Sequence, residues 1–137
     1  MPDESRGEFV ALYGSLLRGF EAMQAIGVGD RLRFVGPCLI EGQLFDLGPY
    51  PGLRRGAGLV VGEIYALLDP EALQVLDRFE GFEPARPRES LYLRERVPLI
   101  EPAASQAWIY FYNQVPDPGQ RIESGDWRAH LAASADD

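Results

Sequence analysis

The sequence predicts an α+β domain in which a small curled or barrel-like β-sheet packs against one or two helices. Several short runs rich in β-branched and aromatic residues are separated by glycine and proline, as is typical of strands joined by turns. One segment carries both the start and the stop signals of an α-helix. The 137 residues contain no internal repeat and no linker-like stretch. We therefore expect a single domain over residues 1–137, with a core from about residue 8 to residue 128 and flexible termini.

The N-terminal third predicts a strand, a helix and further strand-like segments. Residues 9–13 (FVALY) form an apolar run that a glycine stops, as expected for a buried strand that ends in a turn. Residues 16–26 mix apolar and polar side chains at helical spacing, and nearby glycines close that segment. Residues 31–45 alternate as strands do, with interruptions at Gly36-Pro37 and at Gly42.

The middle of the chain predicts a loop, a strand and the clearest helix. Residues 48–52 (GPYPG) hold two prolines and two glycines, which oppose regular strand pairing, and residues 59–68 return to a strand. Asp69 predicts an N-cap, with Pro70 at the first helical position and Gly81 at the left-handed position that ends a helix. The apolar stripe of this helix is expected to consist of Leu73, Leu76 and Phe79.

The C-terminal third predicts a strand pair and then mostly loop. Residues 82–90 form a loop rich in proline and arginine. Residues 91–100 and 107–112 alternate as two strands, which we expect to pair antiparallel across the turn between them. After Asn113 the chain is expected to be mostly loop, with residues 132–137 frayed.

The reactive residues exclude several kinds of active site. All thirteen basic residues are arginines, and there is one cysteine and one histidine. The absence of lysine excludes a Schiff-base mechanism and a Walker-type phosphate loop, and one Cys with one His cannot form a zinc cage. His130 has no adjacent nucleophile for a catalytic triad. Cys38 follows Gly-Pro in an apolar run, which predicts a buried and inert thiol.

The overall charge bears on the partners and on the compartment. The formal net charge of -8 disfavours nucleic acid and anionic membranes as partners, because both require a positive field on the protein. No apolar run approaches membrane-spanning length, and the first residues are acidic instead of signal-like. We therefore expect a cytoplasmic protein.

Glu80 is the first candidate for a chemical role. At about 100° per residue it projects only about 20° from Leu73, so a carboxylate lies at the edge of the apolar stripe. Partial burial and the negative end of the helix both raise a carboxyl pKa, which would suit a general acid or base. The alternative is that the last turn frays and Glu80 faces solvent. Asp77, at the other flank of the stripe, is either a supporting group or a surface residue.

A second candidate is the turn formed by residues 13–16 (YGSL). A strand that ends at glycine and enters a helix through Ser15 leaves backbone N–H groups available at the helix start. Such groups can bind a carboxylate or a phosphate. The alternative is that Ser15 simply caps the helix.

Tyrosines on the two C-terminal strands form the third candidate. Tyr92 shares a strand face with Arg94 and Arg96, and Tyr110 shares a face of the next strand with Tyr112. Their hydroxyls can line a pocket and bind a ligand carbonyl. The alternative is that these rings pack in the core or at its rim, with hydroxyls bonded within the protein.

Taken in order, these segments resemble the γ-glutamylcyclotransferase-like family. The matching text is LYGSLLRG, GQLFDLGPYPGL, LDRFEGF, YLRERV, AWIYFYN and SGDWR, and it spans residues 10–128. The YGSL turn and the LDxxEG helix end are the more specific motifs, whereas the later strands match more loosely. The loop at residues 82–90 departs from the pattern, because it is longer than the family's usual link to the tyrosine-bearing strand.

The resemblance implies a fold, a reaction and a set of site residues. The implied fold is a small barrel-like mixed β-sheet with flanking helices. The implied reaction cyclises a small-molecule γ-glutamyl group to 5-oxoproline and releases an amine or amino acid, with no cofactor and no metal. Glu80 is implied as the catalytic acid/base. The residues implied to bind the substrate are Tyr13, Gly14, Ser15, Leu16, Tyr92 and Tyr110.

The residues leave other functions open. A catalytically silent module could keep the YGSL turn and bind a small carboxylate or a partner on the same fold. An amidase-like relative could use the same glutamate on another acyl group. An arginine-bearing lip at residues 82–90 could select an acidic leaving group, or it could be a solvated surface loop.

Overall fold

A computed structural model describes residues 8–14, residue 27 and residues 29–135. Within them the chain forms one five-stranded sheet and two α-helices, which confirms the predicted α+β class. The spatial order of the strands is β2-β3-β1-β5-β4, and the β1–β5 pair is parallel while the other pairs are antiparallel. The elements are β1 (Phe9–Leu12), β2 (Leu32–Asp46), β3 (Pro51–Leu67), α1 (Glu71–Glu80), β4 (Tyr92–Pro98), β5 (Gln106–Tyr112) and α2 (Trp127–Ala135).

Strands β2 and β3 form a long hairpin that differs from the prediction. The expected interruptions at Gly36-Pro37 and Gly42 are register shifts within one continuous strand, since a β-bulge absorbs an extra residue without ending the pairing. The prediction that residues 48–52 form a loop is wrong at its C-terminal end, because β3 begins at Pro51. Proline is tolerated there since the first residue of a strand need not donate a ladder hydrogen bond. Strand β3 therefore starts eight residues before the predicted position 59.

The two faces of the sheet carry separate apolar clusters. Alternate residues of β1 point to opposite sides: Val10 packs with Leu76 of α1, whereas Ala11 packs with Trp127 of α2. Helix α1 therefore lies on one face, and Trp127 at the start of α2 packs on the other. The ends of α1 and β1 lie beside each other, and the candidate site forms there.

Helix α1 ends as its sequence predicts and begins one residue later than predicted, at Glu71 with Pro70 at the N-cap. The Asp69 carboxylate accepts a hydrogen bond from the backbone N–H of Ala72 (3.2 Å), and Gly81 adopts the left-handed conformation with φ of 70°. The predicted stripe is wrong at Phe79, which is 40% exposed. Asp77 is buried in its place, since a charged partner from the sheet holds it there.

The C-terminal segment contains a helix that the sequence analysis missed. Residues 127–135 form α2, so the expectation of mostly loop after Asn113 holds for residues 114–126 and misses the helix that follows. The Asp126 carboxylate accepts a hydrogen bond from the N–H of Ala129 (3.1 Å) at the start of this helix. The segment is hard to recognise because Trp127 carries most of its buried surface. The helix predicted at residues 16–26 lies outside the described residues.

Neither α1 nor α2, the two α-helices of the described chain, combines the length and the apolar character needed to span a bilayer.

Candidate active site

A cavity of about 200 Å³ opens where α1 and β1 end. It is smaller than the roughly 300–1,000 Å³ of sites for drug-sized ligands, so it suits an amino-acid-sized group. Four apolar residues contribute to its wall. The residues that bring a polar group or a glycine backbone to the wall are Tyr13, Gly14, Tyr50, Glu80, Tyr92 and Tyr110.

Glu80 is the acidic residue of this wall among the described residues. It is the last residue of α1, and the left-handed Gly81 directly after it turns the chain away from the helix axis. Glu80 is half-buried, and burial raises its pKa from an ordinary 4.5 to about 8. A carboxyl group with this pKa is mostly protonated at neutral pH and can still ionise. It can therefore both accept and return a proton.

The turn after β1 approaches the start of β3 closely. A Cβ atom at Gly14 would lie 2.6 Å from Cγ of Pro51, so any larger residue there would collide with the proline ring. Glycine thus lets the backbone of the turn reach the cavity wall. Ser15 and Leu16, the other predicted residues of this turn, lie outside the described residues.

Four tyrosines line the cavity, and three of them donate their hydroxyl hydrogens within the protein. Tyr13 donates to the backbone carbonyl of Tyr110 (2.6 Å), and Tyr92 donates to the carbonyl of Pro51 (2.6 Å). Tyr110 donates to Oδ1 of Asp77 (2.6 Å). The two interpretations of the strand tyrosines, as cavity lining and as packing with bonded hydroxyls, therefore both hold for Tyr92 and Tyr110, and Tyr13 has the same two features.

These hydrogen bonds limit what the phenols can offer a ligand. Burial raises the pKa of all three tyrosines above the ordinary value, so they stay protonated. The charge of Glu80, which lines the same cavity, raises the same three pKa values to a lesser extent. With its O–H already donated, each phenol oxygen can only accept a further hydrogen bond. The wall is therefore matched to an N–H donor better than to an oxyanion.

A comparison with known families identifies the family of this chain. The family model described as gamma-glutamyl cyclotransferase, AIG2-like, matches residues 10–129. The chain belongs to this family. The match covers the same stretch as the motifs from YGSL to SGDWR, and the resemblance seen in the sequence is thereby confirmed.

A curated relative in this family is the Gamma-glutamylcyclotransferase family protein YtfP of Escherichia coli (strain K12). It is 40% identical to this chain over 85 residues, which is 62% of this chain and 66% of that protein. The matched part thus spans just under two thirds of the relative's length.

Solved structures of the family share the fold. The solution structure of ytfP from Escherichia coli has a TM-score of 0.60 and 32% identity, and the match covers 90% of this chain and 98% of that one. The crystal structure of an aig2-like protein from Mus musculus has a TM-score of 0.66 at 21% identity, with coverage of 88% and 87%. At this lower identity the second likeness shows the fold alone.

Asp77 and Arg94 belong to the surroundings of the site, and sequence analysis left the one open and gave the other no role. Nε of Arg94 donates to Oδ1 of Asp77 (2.8 Å), and a second guanidinium nitrogen donates to Oδ2 (3.2 Å). The sequence allows two interpretations of Asp77, as a supporting group or as a surface residue. In the structure Asp77 is buried. The signal in the sequence was weak, since 17 residues and a loop separate the partners.

Tyr50 was also missed as a cavity residue. It lies in the GPYPG segment, where the prolines and glycines drew the interpretation towards a simple loop. Its ring packs against that of Tyr92 with a centroid distance of 6.3 Å. An aromatic residue among turn-forming residues was the available signal.

The remaining candidate residues lie away from the cavity lining. Cys38 is buried, and burial raises its pKa to about 12, so the thiol is inert as predicted. His130 pairs with Asp46 (Nε2 to Oδ2, 2.7 Å). In the loop at residues 82–90, Arg86 is strongly exposed and its guanidinium lies 3.9 Å from the exposed carboxylate of Glu89, which fits a solvated surface loop. Within the described part of the chain, no cluster of three His, Cys, Asp or Glu side chains could hold a metal ion.

Proposed function

We propose that this protein is a cyclotransferase that converts a γ-glutamyl group to 5-oxoproline and releases an amine or amino acid. The observation that carries the proposal is the half-buried Glu80, with its pKa of about 8, in the wall of an amino-acid-sized cavity. Membership of the gamma-glutamyl cyclotransferase, AIG2-like family supports the reaction class. The surroundings of Glu80 support its role as the acid/base.

The proposed reaction is an intramolecular acyl transfer. The α-amino nitrogen of the substrate attacks its own γ-carbonyl carbon, so that one C–N bond forms and the C–N bond to the leaving nitrogen breaks. The attacking nitrogen begins as an ammonium group and loses two protons to become the ring amide N–H, and the leaving nitrogen gains two protons and departs as an ammonium group, which balances the step. Nucleophile and electrophile belong to one molecule, so binding the folded-back conformer supplies much of the acceleration.

In this proposal Glu80 carries the proton between the two nitrogens. Its ionised form accepts a proton from the attacking ammonium, and its protonated form returns one to the leaving group. Burial raises the carboxyl pKa to about 8, which brings it closer to that of an ammonium group and lowers the free-energy cost of transferring the proton. A carboxyl group with an ordinary pKa would be a much weaker base.

The walls of the cavity suggest how the substrate is oriented. We assign the backbone amides of Gly14, Ser15 and Leu16 to the α-carboxylate of the substrate, as the YGSL motif implies. The phenol oxygens of Tyr92 and Tyr110 then accept hydrogen bonds from the α-ammonium group, because their own hydrogens are donated elsewhere. Stabilisation of the developing oxyanion is left to backbone amides.

The proposed setting is the cytoplasm, with a free small molecule as the substrate. The chemistry requires no cofactor, because the substrate supplies its own nucleophile. The net charge of -8 supports a partner other than nucleic acid or an anionic membrane.

A product assay tests the proposal against the two alternatives. Purified protein is incubated with a panel of γ-glutamyl amines and γ-glutamyl dipeptides, and 5-oxoproline and free glutamate are measured separately. We expect 5-oxoproline without glutamate from at least one substrate, and no product when the α-amino group of that substrate is acetylated. Release of glutamate would indicate an amidase. Binding without either product across the panel would indicate a silent module. Either of these two results would overturn the proposal.

A further inference from the structure

We propose that Asp77 and Arg94 are positioning residues that fix the last turn of α1 against the sheet and thereby orient Glu80 in the cavity. The inference rests on the proposed function, because it concerns how the acid/base of that reaction is held. Neither residue lines the cavity among the described residues, so their action on the reaction is through Glu80 and Tyr110.

Asp77 and Arg94 form an ion pair between α1 and β4. Arg94 of β4 makes two hydrogen bonds to the carboxylate of Asp77, at 2.8 and 3.2 Å. The side chains are 16% and 9% exposed, so the pair is screened little by solvent. A two-point contact between a guanidinium and a carboxylate fixes orientation as well as distance. The contact therefore locks helix α1 to strand β4 at one angle.

The position of Asp77 in α1 connects it directly to Glu80. It lies three residues before Glu80, so the two residues are neighbours on the helix surface. Its backbone carbonyl also accepts the N–H of Phe82 (2.9 Å), which closes the turn after Glu80. Asp77 thus holds the end of the helix through its side chain and its backbone. Movement of this turn would move Glu80 directly.

Arg94 is itself held in place by two aromatic rings. Its guanidinium lies 4.5 Å from the ring centre of Trp108 on β5 and 5.6 Å from that of Phe82. The side chain is therefore held between the segment that follows α1 and the neighbouring strand. The two-point contact with Asp77 requires the planar guanidinium fork, so a lysine would keep the charge and lose that geometry.

Asp77 also contacts Tyr110. Asp77 accepts the Tyr110 hydroxyl hydrogen at 2.6 Å, so the carboxylate determines which way this hydroxyl points. Removal of the charge on Asp77 would weaken that preference. Asp77 thus sets two features of the site: the position of Glu80 and the acceptor character of Tyr110.

The test separates positioning from simple electrostatics by measuring the pKa of Glu80 directly. The titratable groups that line the cavity with Glu80 are Tyr13 after β1, Tyr50 before β3, Tyr92 on β4 and Tyr110 on β5. Carboxyl-carbon NMR gives the pKa of Glu80 in wild type and in the Arg94→Gln variant. If Arg94 positions the turn, its loss admits water and lowers this pKa towards 4.5. If only charge matters, the unpaired Asp77 raises it further.

Kinetics provide the second readout. For Asp77→Asn and Arg94→Gln we expect kcat to fall roughly 10- to 100-fold while KM changes less than threefold, because a misplaced acid/base affects the reaction more than binding. Arg94→Lys should be intermediate. The matched control is Glu95→Gln, the next residue on β4, whose exposed pair with Arg55 (2.6 Å) does not reach α1. It should keep wild-type kcat.

The outcomes are distinguishable. Rates are divided by the folded fraction at the assay temperature, so loss of folding is not counted as loss of catalysis. A kcat of Arg94→Gln equal to that of Glu95→Gln, or a Glu80 pKa that stays or rises, would overturn the positioning role. If no substrate yields 5-oxoproline, the proposed function fails, and the NMR titration still tests whether Arg94 holds Glu80.

Discussion

The Tyr13 hydroxyl donates a 2.6 Å hydrogen bond to the backbone carbonyl of Tyr110 in the cavity wall. The bond joins the residue after β1 to β5, its parallel neighbour in the sheet. Tyr92 makes the corresponding bond across the cavity, to the carbonyl of Pro51 at the start of β3. Both donors and both acceptors lie in buried parts of the chain. The cavity is thus framed by bonds between side chain and backbone that hold its walls at fixed separations.

Removing either hydroxyl should destabilise the fold measurably. In Tyr13→Phe and Tyr92→Phe a buried carbonyl loses its partner, which costs about 1–3 kcal/mol of the free energy of unfolding. Urea unfolding of each variant at pH 7 measures this change. Tyr112→Phe is the control, since that hydroxyl meets only the exposed side chain of Gln114 (3.2 Å) and its loss should cost less than about 0.5 kcal/mol. Similar values for all three variants would contradict the framing role.

Glu80 is expected to lower stability at alkaline pH. Between about pH 4.5 and pH 8 the folded state keeps a proton on Glu80 that the unfolded chain has lost, so the free energy of unfolding falls as the pH rises through this window. Glutamine at this position removes the effect. Glu80→Gln should therefore be more stable than wild type at pH 8, by at least about 1 kcal/mol, and should match it near pH 4.

Urea unfolding at pH 4, 6 and 8 tests this dependence. The difference between Glu80→Gln and wild type should grow with pH across the three conditions. A difference that stays constant would mean that Glu80 ionises in the folded protein as it does in the unfolded chain. The claim that burial raises the pKa of the Glu80 carboxyl group would then be wrong.

The pair between Asp46 and His130 should contribute stability that acid removes. The hydrogen bond from His130 lowers the pKa of Asp46 below its ordinary 3.8, so its contribution is present above that pH and is lost as the pH falls through the lower, folded value. The pair is about one third exposed, which limits the effect to about 1 kcal/mol. Asp46→Asn should cost that much at pH 5, and the cost should shrink steadily as the pH falls below 3.8.

Thermal unfolding at pH 5, 3.5 and 2.5 measures this difference. The exposed Glu123 provides the comparison variant, Glu123→Gln, which should follow wild type. An equal cost of Asp46→Asn at every pH would show that the pair does not titrate as described.

The sequence predicted the local features of the fold well. Helix α1 and the β4–β5 pair follow from signals within a few residues, such as the cap at Asp69 and the alternation at residues 107–112. The length of the β2–β3 hairpin did not follow, because bulges break the alternation while the strand continues. Helix α2 was missed because one tryptophan carries its burial. These errors arise where tertiary pairing decides the structure.

The same distinction applies to the candidate site. Glu80 could be singled out because a carboxylate at the edge of an apolar stripe is visible in the sequence. The ion pair of Asp77 with Arg94 could not, since it joins a helix to a strand across a loop. The direction of the three tyrosine hydroxyls likewise depends on backbone carbonyls whose positions only the fold supplies.

The most direct test of the central claim is the rate of 5-oxoproline release by Glu80→Gln. Glutamine keeps the size of the side chain and removes its proton chemistry, so the account predicts at least a 100-fold lower kcat than wild type, of the order that general acid–base catalysis supplies. Glu123→Gln, with an exposed carboxylate removed in the same way, should stay within twofold of wild type. A Glu80→Gln rate equal to that of wild type would contradict the assignment of Glu80 as the acid/base.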